Sequence, residues 1–163
     1  MKVKTLVVNG LLAAIYIVVT MLIQPIGFGN IQFRIPEIFN HLIVFNKKYI
    51  YGILLGVFLA NLFFSPMKVD VIFGVGQSLI ALLITIVTAR YIKGIWMRMF
   101  INTIVFSFTM FIIAFELYIF TDLDLPFSLL WLTTAIGEFV VMFAGAPIII
   151  AINKRIHFEK IID

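Results

Sequence analysis

The chain has 163 residues, 63% of them apolar and 12% charged, with a net charge of +4 and no cysteine. A mean hydropathy of +1.17 is far too high for a water-soluble domain of this length, so function is to be sought inside a bilayer. The pI of about 9.5 then reads as attraction to an anionic leaflet and not to nucleic acid, and the lack of cysteine excludes disulfides, thiolate metal sites and Cys nucleophiles.

Six apolar stretches, residues 6–24, 34–46, 49–65, 70–92, 98–119 and 127–152, predict an all-α membrane protein: a six-transmembrane-helix bundle forming one integral domain over residues 1–163. Most exceed the roughly 17–20 apolar residues that a hydrocarbon core demands, while the second is short and partly re-entrant. The first, from Leu6 to Ile23, is longer than a signal-peptide core and has no small-residue cleavage site before Gln24, so it reads as an uncleaved span. With a cytoplasmic N-terminus, Lys2, Lys4, Lys47, Lys48, Arg90, Lys93, Arg98, Lys154, Arg155 and Lys160 lie inside and only Arg34 and Lys68 outside. That 10 to 2 split predicts a multi-pass protein of the cell membrane with both termini cytoplasmic.

In chain order, the first span carries Gly10, Ala13 and Ala14, small residues that let an outside partner helix approach closely. The Gly27–Gly29 stretch after Pro25 reads as a lid over the outer mouth. On the second span Arg34, Glu37 and His41 recur at i, i+3, i+7. Arg34 and Glu37 fit an interfacial ion pair as well as a ligand site, and His41 fits a satisfied interior histidine. Gly52, Gly56 and Ala60 on the third span suit packing within the bundle. The fourth span opens on Asp70, a helix cap or a ligand, followed by Gly74 and Gln77; the fifth carries Thr109 and, near its outer rim, Glu116. On the last span Trp131, Thr134 and Glu138 share one face, and Trp131 suits either an aromatic belt or a pocket wall. Glu138 stands some eleven residues into that span, roughly 16 Å deep at 1.5 Å per residue. A carboxylate at that depth costs several kcal/mol unless it is partnered, and it has few roles besides function or a salt bridge with Arg34.

Four helices thus aim polar groups at one cavity in the outer half. Carboxylates set among amides, hydroxyls and aromatic plates suit a small, planar, nitrogen-rich molecule that offers donors at its edge and a π face, and the acidic excess favours a cationic one. No G-x-x-x-x-G-K-[ST] phosphate loop, H-E-x-x-H or G-x-S-x-G occurs, and the two histidines, His41 and His157, lie far apart. An enzyme is therefore not expected, and energy for any transport must come from another chain.

The runs Gln32-Phe33-Arg34-Ile35-Pro36-Glu37, Gly56-Val57-Phe58-Leu59-Ala60-Asn61-Leu62 and Asp70-Val71-Ile72-Phe73-Gly74, with the pair Gly137–Glu138, resemble the QueT family of substrate-binding (S) components of energy-coupling factor (ECF) transporters, over nearly the whole chain. The resemblance implies uptake of a queuosine precursor, a 7-deazaguanine such as the 7-aminomethyl compound. It also implies assembly with a coupling subunit and two ATPases that use the ATP, so no cofactor is expected in this chain. Where S components often show Ala-x-x-x-Ala, this chain has Gly10-x-x-x-Ala14. On this reading Glu138 accepts the guanine-type N–H edge, Glu37 or Asp70 faces the ammonium, Gln77 and Asn61 serve the ring carbonyl and amide, Trp131 or Phe33 stacks, and Arg34 holds a carboxylate in register. The alternatives are an S component for another vitamin or purine-like nutrient and a structural, MreD-like six-span protein.

Overall fold

In a bilayer every backbone N–H and C=O must be satisfied within the segment, so long apolar runs can only become helices. The computed structural model describes residues 2–27 and 32–162. Their elements are α1 (Val3–Gly27), a 3-10 helix (Ile35–Val44), a short turn of the same kind (Lys47–Tyr49), α2 (Ile50–Phe64), α3 (Asp70–Thr88), α4 (Ile95–Thr109), α5 (Phe111–Phe120), α6 (Phe127–Ile156) and α7 (Phe158–Ile161). Five stretches, 3–24, 47–64, 70–88, 95–120 and 127–156, are long and apolar enough to cross a membrane. Large apolar side chains such as Leu22, Ile72 and Phe63 stand exposed around them, as lipid-facing positions do. The chain is a multi-pass membrane protein.

The second expected span differs in kind from the rest. Residues 34–46 hold a 10-residue 3-10 helix in place of an α-helical crossing, begun by Pro36 in its first turn, where a missing N–H costs nothing. At a rise of about 2.0 Å per residue the 3-10 form stretches ten residues over roughly 20 Å, against about 15 Å for an α-helix. The chain needs that reach to return to the end of the bundle where α2 begins. The fifth span is interrupted at Met110, where Ser107 and Thr109 turn their hydroxyls back onto the carbonyls of Thr103 and Phe106.

Both termini lie at one end. The Thr5 hydroxyl donates to the Ile162 carbonyl at 3.2 Å and the Tyr49 hydroxyl to that of Phe158 at 2.8 Å, while Phe158 rests against Phe45 and Tyr49. Lys4 and Lys48 donate to the carbonyls of Lys160 and Ile162, so basic residues from distant parts of the sequence meet at that end. α6 stops at His157, whose left-handed φ of 56° turns the chain back, with Lys154 and Arg155 in the last turn opposing the helix dipole.

α1 lies along α2 at close range. The Gly52 N–H donates to Asn9 Oδ1 at 2.7 Å, and a Cβ on Gly56 would stand 2.8 Å from the Cβ of Tyr16. The small residues of α2 therefore serve the bundle's own packing. On α1, Ala13 faces inward at 2% exposure, whereas Gly10 and Ala14 look out, and a Cβ on Gly10 would meet nothing within 4 Å. Gly27 ends α1; the expected lid at Gly27–Gly29 otherwise falls in 28–31, outside the described residues. Gly56→Leu is expected to destabilise the detergent-solubilised protein by about 1–3 kcal/mol or more, through overpacking against Tyr16, and Gly10→Leu to leave thermal unfolding within about 0.5 kcal/mol of wild type. Equal melting temperatures for the two variants would contradict this α1–α2 contact.

Candidate functional site

The 3-10 helix has three residues per turn, so Arg34 at its head, Glu37 and Asn40 fall in one row at i, i+3, i+6. Arg34 is 7% exposed and Glu37 2%. Both carboxylate oxygens of Glu37 are occupied: Oε1 accepts the Tyr16 hydroxyl at 2.8 Å and Oε2 accepts the Asn40 side-chain amide. Tyr16 and Asn40 are the residues sequence reading missed. Tyr16 is marked only as a hydroxyl within an apolar run, and Asn40 becomes legible only with a period of three, since α-helical spacing selects His41.

His41 instead ties the 3-10 helix to its neighbours. Its Nε2 donates to the Met142 carbonyl at 2.9 Å and its Nδ1 accepts from Asn102 at 3.2 Å. Asn102 donates as well to the Asn40 carbonyl at 3.2 Å and accepts the Thr85 hydroxyl at 2.7 Å. These groups are buried at 1% exposure or less, so they form an interior clamp in which both ring nitrogens of His41 are engaged, as the reading of a satisfied interior histidine expects. Gly145 permits the approach of α6, because a Cβ there would lie 2.7 Å from the Cβ of Ile38.

Glu138 stands on α6 between two apolar clusters, one including Leu130 and the other Met142, and is fully buried. Neither of its oxygens has a hydrogen-bond partner among the described residues. Arg34, Glu37 and Glu138 lie within electrostatic reach of one another, with Tyr16 beside all three. Arg34 also reaches Glu116 on α5, a fully buried carboxylate lying against Asp70 at the start of α3. Asp70 accepts the Ser65 hydroxyl, and its carbonyl accepts Asn61 Nδ2 at 3.1 Å. Gly74 makes room for this meeting, since its Cβ would run into Asn61 and stand 3.7 Å from Arg34 Nη1. One guanidinium thus lies within electrostatic reach of three buried carboxyl groups from three elements, Glu37, Glu116 and Glu138, with Asp70 beside Glu116.

Two expected members are engaged with other partners. Trp131 sends its indole N–H to the Phe108 carbonyl at 3.1 Å, beside the break between α4 and α5, and stands among Phe108, Phe111 and Phe127. It staples that break and is not among the residues lining the void beside Arg34. Gln77 is buried and engaged with Thr109 and Ser78, its Nε2 donating to Thr109 at 3.0 Å. Phe33, half-buried, sits next to Arg34 in the chain, and its carbonyl lies 3.9 Å from where a Gly27 Cβ would stand.

The space around these groups has two parts. Tyr16, Thr20, Ile23, Gly27, Arg34, Pro36, Ala60 and Asn61 enclose about 20 Å³, room for about one water. At the end of the bundle opposite the termini, Gln32, Pro66, Met67, Asp70, Leu117, Thr121, Asp122 and Leu123 line a hollow of about 460 Å³, within the roughly 300–1,000 Å³ usual for small-molecule sites. Asp70 belongs to the wall of that hollow and to the buried carboxylate set.

Membrane-length helices thus hold a buried, acceptor-rich cluster next to a hollow of small-molecule size, the build of a membrane protein with a polar interior site. The family model described as QueT transporter matches residues 6–154. The chain is 34% identical over 168 aligned positions to "Queuosine precursor transporter QueT" of Lactococcus lactis subsp. cremoris (strain MG1363), covering 98% of both. It belongs to the QueT transporter family and is a transporter, not an enzyme or a structural protein of the MreD-like kind. No solved structure matches.

Asn102→Leu is expected to lower stability by about 1–3 kcal/mol, because His41 Nδ1, the Asn40 carbonyl and the Thr85 hydroxyl all lose a partner in the interior. Thermal unfolding in detergent measures it, and an unchanged melting temperature would show that the clamp does not hold the 3-10 helix.

Proposed function

We propose that this chain is the substrate-capturing S component of an ECF-type importer, and that its cargo is a queuosine precursor, a 7-deazaguanine taken from outside the cell. The observation that carries the reading is Glu138, a fully buried carboxylate with both oxygens lacking hydrogen-bond partners among the described residues. A guanine-type edge presents two neighbouring N–H donors, the arrangement that one carboxylate accepts through both oxygens. The printed name of the Lactococcus relative points to the same class of molecule.

Orientation follows from charge. Ten of the twelve Lys and Arg residues favour the termini end, so that end is read as cytoplasmic and the hollow beside Asp70 as facing outward. The void beside Arg34 holds only about 20 Å³, so entry of a base requires the side chains around Arg34 to draw apart. In this reading the guanidinium swings from holding carboxylates together to holding them in register around the ligand. Glu37, already engaged by Tyr16 and Asn40, stays a fixed part of the wall.

The sequence carries no phosphate loop, so a coupling subunit and two ATPases supply the energy on this reading. The outward face of α1, with Gly10 and Ala14 among Leu6, Val7 and Leu11, is the surface offered to the coupling subunit.

Hydrogen bonds to a charged group contribute roughly 1.5–3 kcal/mol each, so Glu138→Gln is expected to weaken binding of 7-aminomethyl-7-deazaguanine about 10- to 100-fold. Calorimetric titration of the purified protein checks this, and an unchanged Kd removes Glu138 from the site. Combining Gly10→Leu with Ala14→Leu is expected to abolish cellular uptake while binding to the purified chain persists; uptake at the wild-type rate would take the docking role away from α1.

A further inference from the structure

Pro147 stands in the interior of α6, and its missing N–H leaves the Phe143 carbonyl without the donor that a regular helix would supply. Helices bend at such a residue. Beside it α6 and α4 leave a groove of about 400 Å³, walled by Trp96, Met97 and Phe100 from α4 and by Phe143, Ala146 and Pro147 from α6. Thr103, the polar residue of the lining, spends its hydroxyl on the Met99 carbonyl, so the groove offers an apolar surface. Trp96, Met97, Phe100 and Phe143 stand about half exposed, which opens the groove to the lipid side of the bundle.

In a bilayer such a groove is filled by another helix or by an acyl tail. Close docking of a helix needs small residues on the face that it meets. Here the exposed wall is Trp96, Phe100 and Phe143, while the small residue Ala146 is buried at 7% exposure. These rings hold a helix about 10 Å across away from Ala146, whereas a thin, flexible tail threads between them.

Charge decides which head the tail carries. On α6, Phe143, Pro147 and Lys154 follow at i, i+4 and i+11, a spacing that keeps them on one helix face. Lys154 is exposed, roughly 10 Å beyond Pro147 toward the end that holds the termini. On α4 the wall begins at Trp96, and exposed Lys93 stands three residues earlier, in a turn that Arg98 fixes by donating from Nε to the Ile92 carbonyl at 2.8 Å. The helix starts from Gly94 with no side-chain cap, so the positive end of its dipole adds to the same rim. Both sides of the groove therefore end in positive charge.

We propose that the α4–α6 groove binds an anionic phospholipid, with an acyl tail between Phe100 and Phe143 and the phosphate held by Lys93 and Lys154. A basic mouth on an apolar groove between membrane helices is the arrangement that retains an acidic headgroup. Trp96 sits where tail meets head, the level that indole rings take at a membrane interface. The site shares no residue with the cluster around Arg34 and stands whether or not the chain captures a base.

Trp96 and Trp131 are the two tryptophans of the chain, so Trp131→Phe leaves Trp96 as the reporter in the groove. This protein is reconstituted in phosphatidylcholine vesicles carrying a minor share of either acyl-brominated phosphatidylglycerol or acyl-brominated phosphatidylcholine, and quenching of Trp96 fluorescence is measured. The phosphatidylglycerol is expected to quench at a mole fraction lower by about fivefold or more, the scale of one lysine acting on an anionic lipid. Lys93→Gln combined with Lys154→Gln is expected to bring the two lipids to parity; both lysines are exposed, so the fold tolerates the change. Lys2→Gln removes a charge from a different hollow, one lined with Lys48 and Tyr51, and is expected to keep the preference. Native mass spectrometry of the wild-type chain, counting retained phosphatidylglycerol against phosphatidylcholine, carries the comparison if Trp131→Phe does not fold. Equal quenching by the two lipids, a preference that survives the paired lysine substitutions, or one that Lys2→Gln removes as fully overturns the site. Weak quenching by both lipids, as when a second copy or a partner helix covers Trp96, overturns it as well.

Discussion

The structure turns on a guanidinium buried among carboxylates in the interior of a membrane bundle. Arg34 at 7% exposure would be prohibitive alone, as would Glu37, Glu116 or Glu138 at 2% or less. Together they reduce one another's cost without cancelling it, because one guanidinium faces more carboxyl groups than it can pair. Buried polar oxygens left without partners, as those of Glu116 and Glu138 are among the described residues, weaken the fold unless something else satisfies them. On the capture reading proposed above, a ligand rich in donors does so, which would tie capture to the same lack of partners that makes the site costly to build.

The 3-10 helix is the device that positions the charges. Ten residues in this form are unusual, since its hydrogen bonds are poorer than those of an α-helix, and the segment persists only because its surroundings determine it. The His41–Asn102–Thr85 network anchors its second half to α6, α4 and α3, and Gly145 lets it press against α6. Its first half carries Arg34 and Glu37 and borders the small void. A segment clamped at one end and polar at the other is suited to shift at the polar end while the clamped end holds.

Much of this was readable in the chain. Glu138 stood out through depth alone, and Arg34, Glu37, Asp70, Asn61 and Glu116 through their charge or amide groups within apolar runs. Gly52 and Gly56 were legible as packing glycines because small residues at four-residue steps mark a close helix contact. What stayed hidden was local conformation. The apolar pattern of residues 34–46 suits either helical form, and the choice of 3-10 comes from the distance the segment must cover between its neighbours, a tertiary demand with no local signature. That choice moved the shared face from His41 to Asn40. The partner of Trp131 was hidden for a related reason: the break at Met110 leaves the Phe108 carbonyl to accept the indole N–H, and only the hydroxyls of Ser107 and Thr109 hint at the break. Tyr16 needed knowledge of which helix lies beside the 3-10 segment. Ala13 and Ala14 were indistinguishable as small residues until the rotation of α1 turned one in and one out.

A structure of the purified protein with 7-aminomethyl-7-deazaguanine bound tests the central claim most directly. The account predicts the base lodged beside Arg34, with its N–H edge about 3 Å from the oxygens of Glu138. A base held elsewhere, with Glu138 closed onto Arg34 in an interior that never opens, would contradict it.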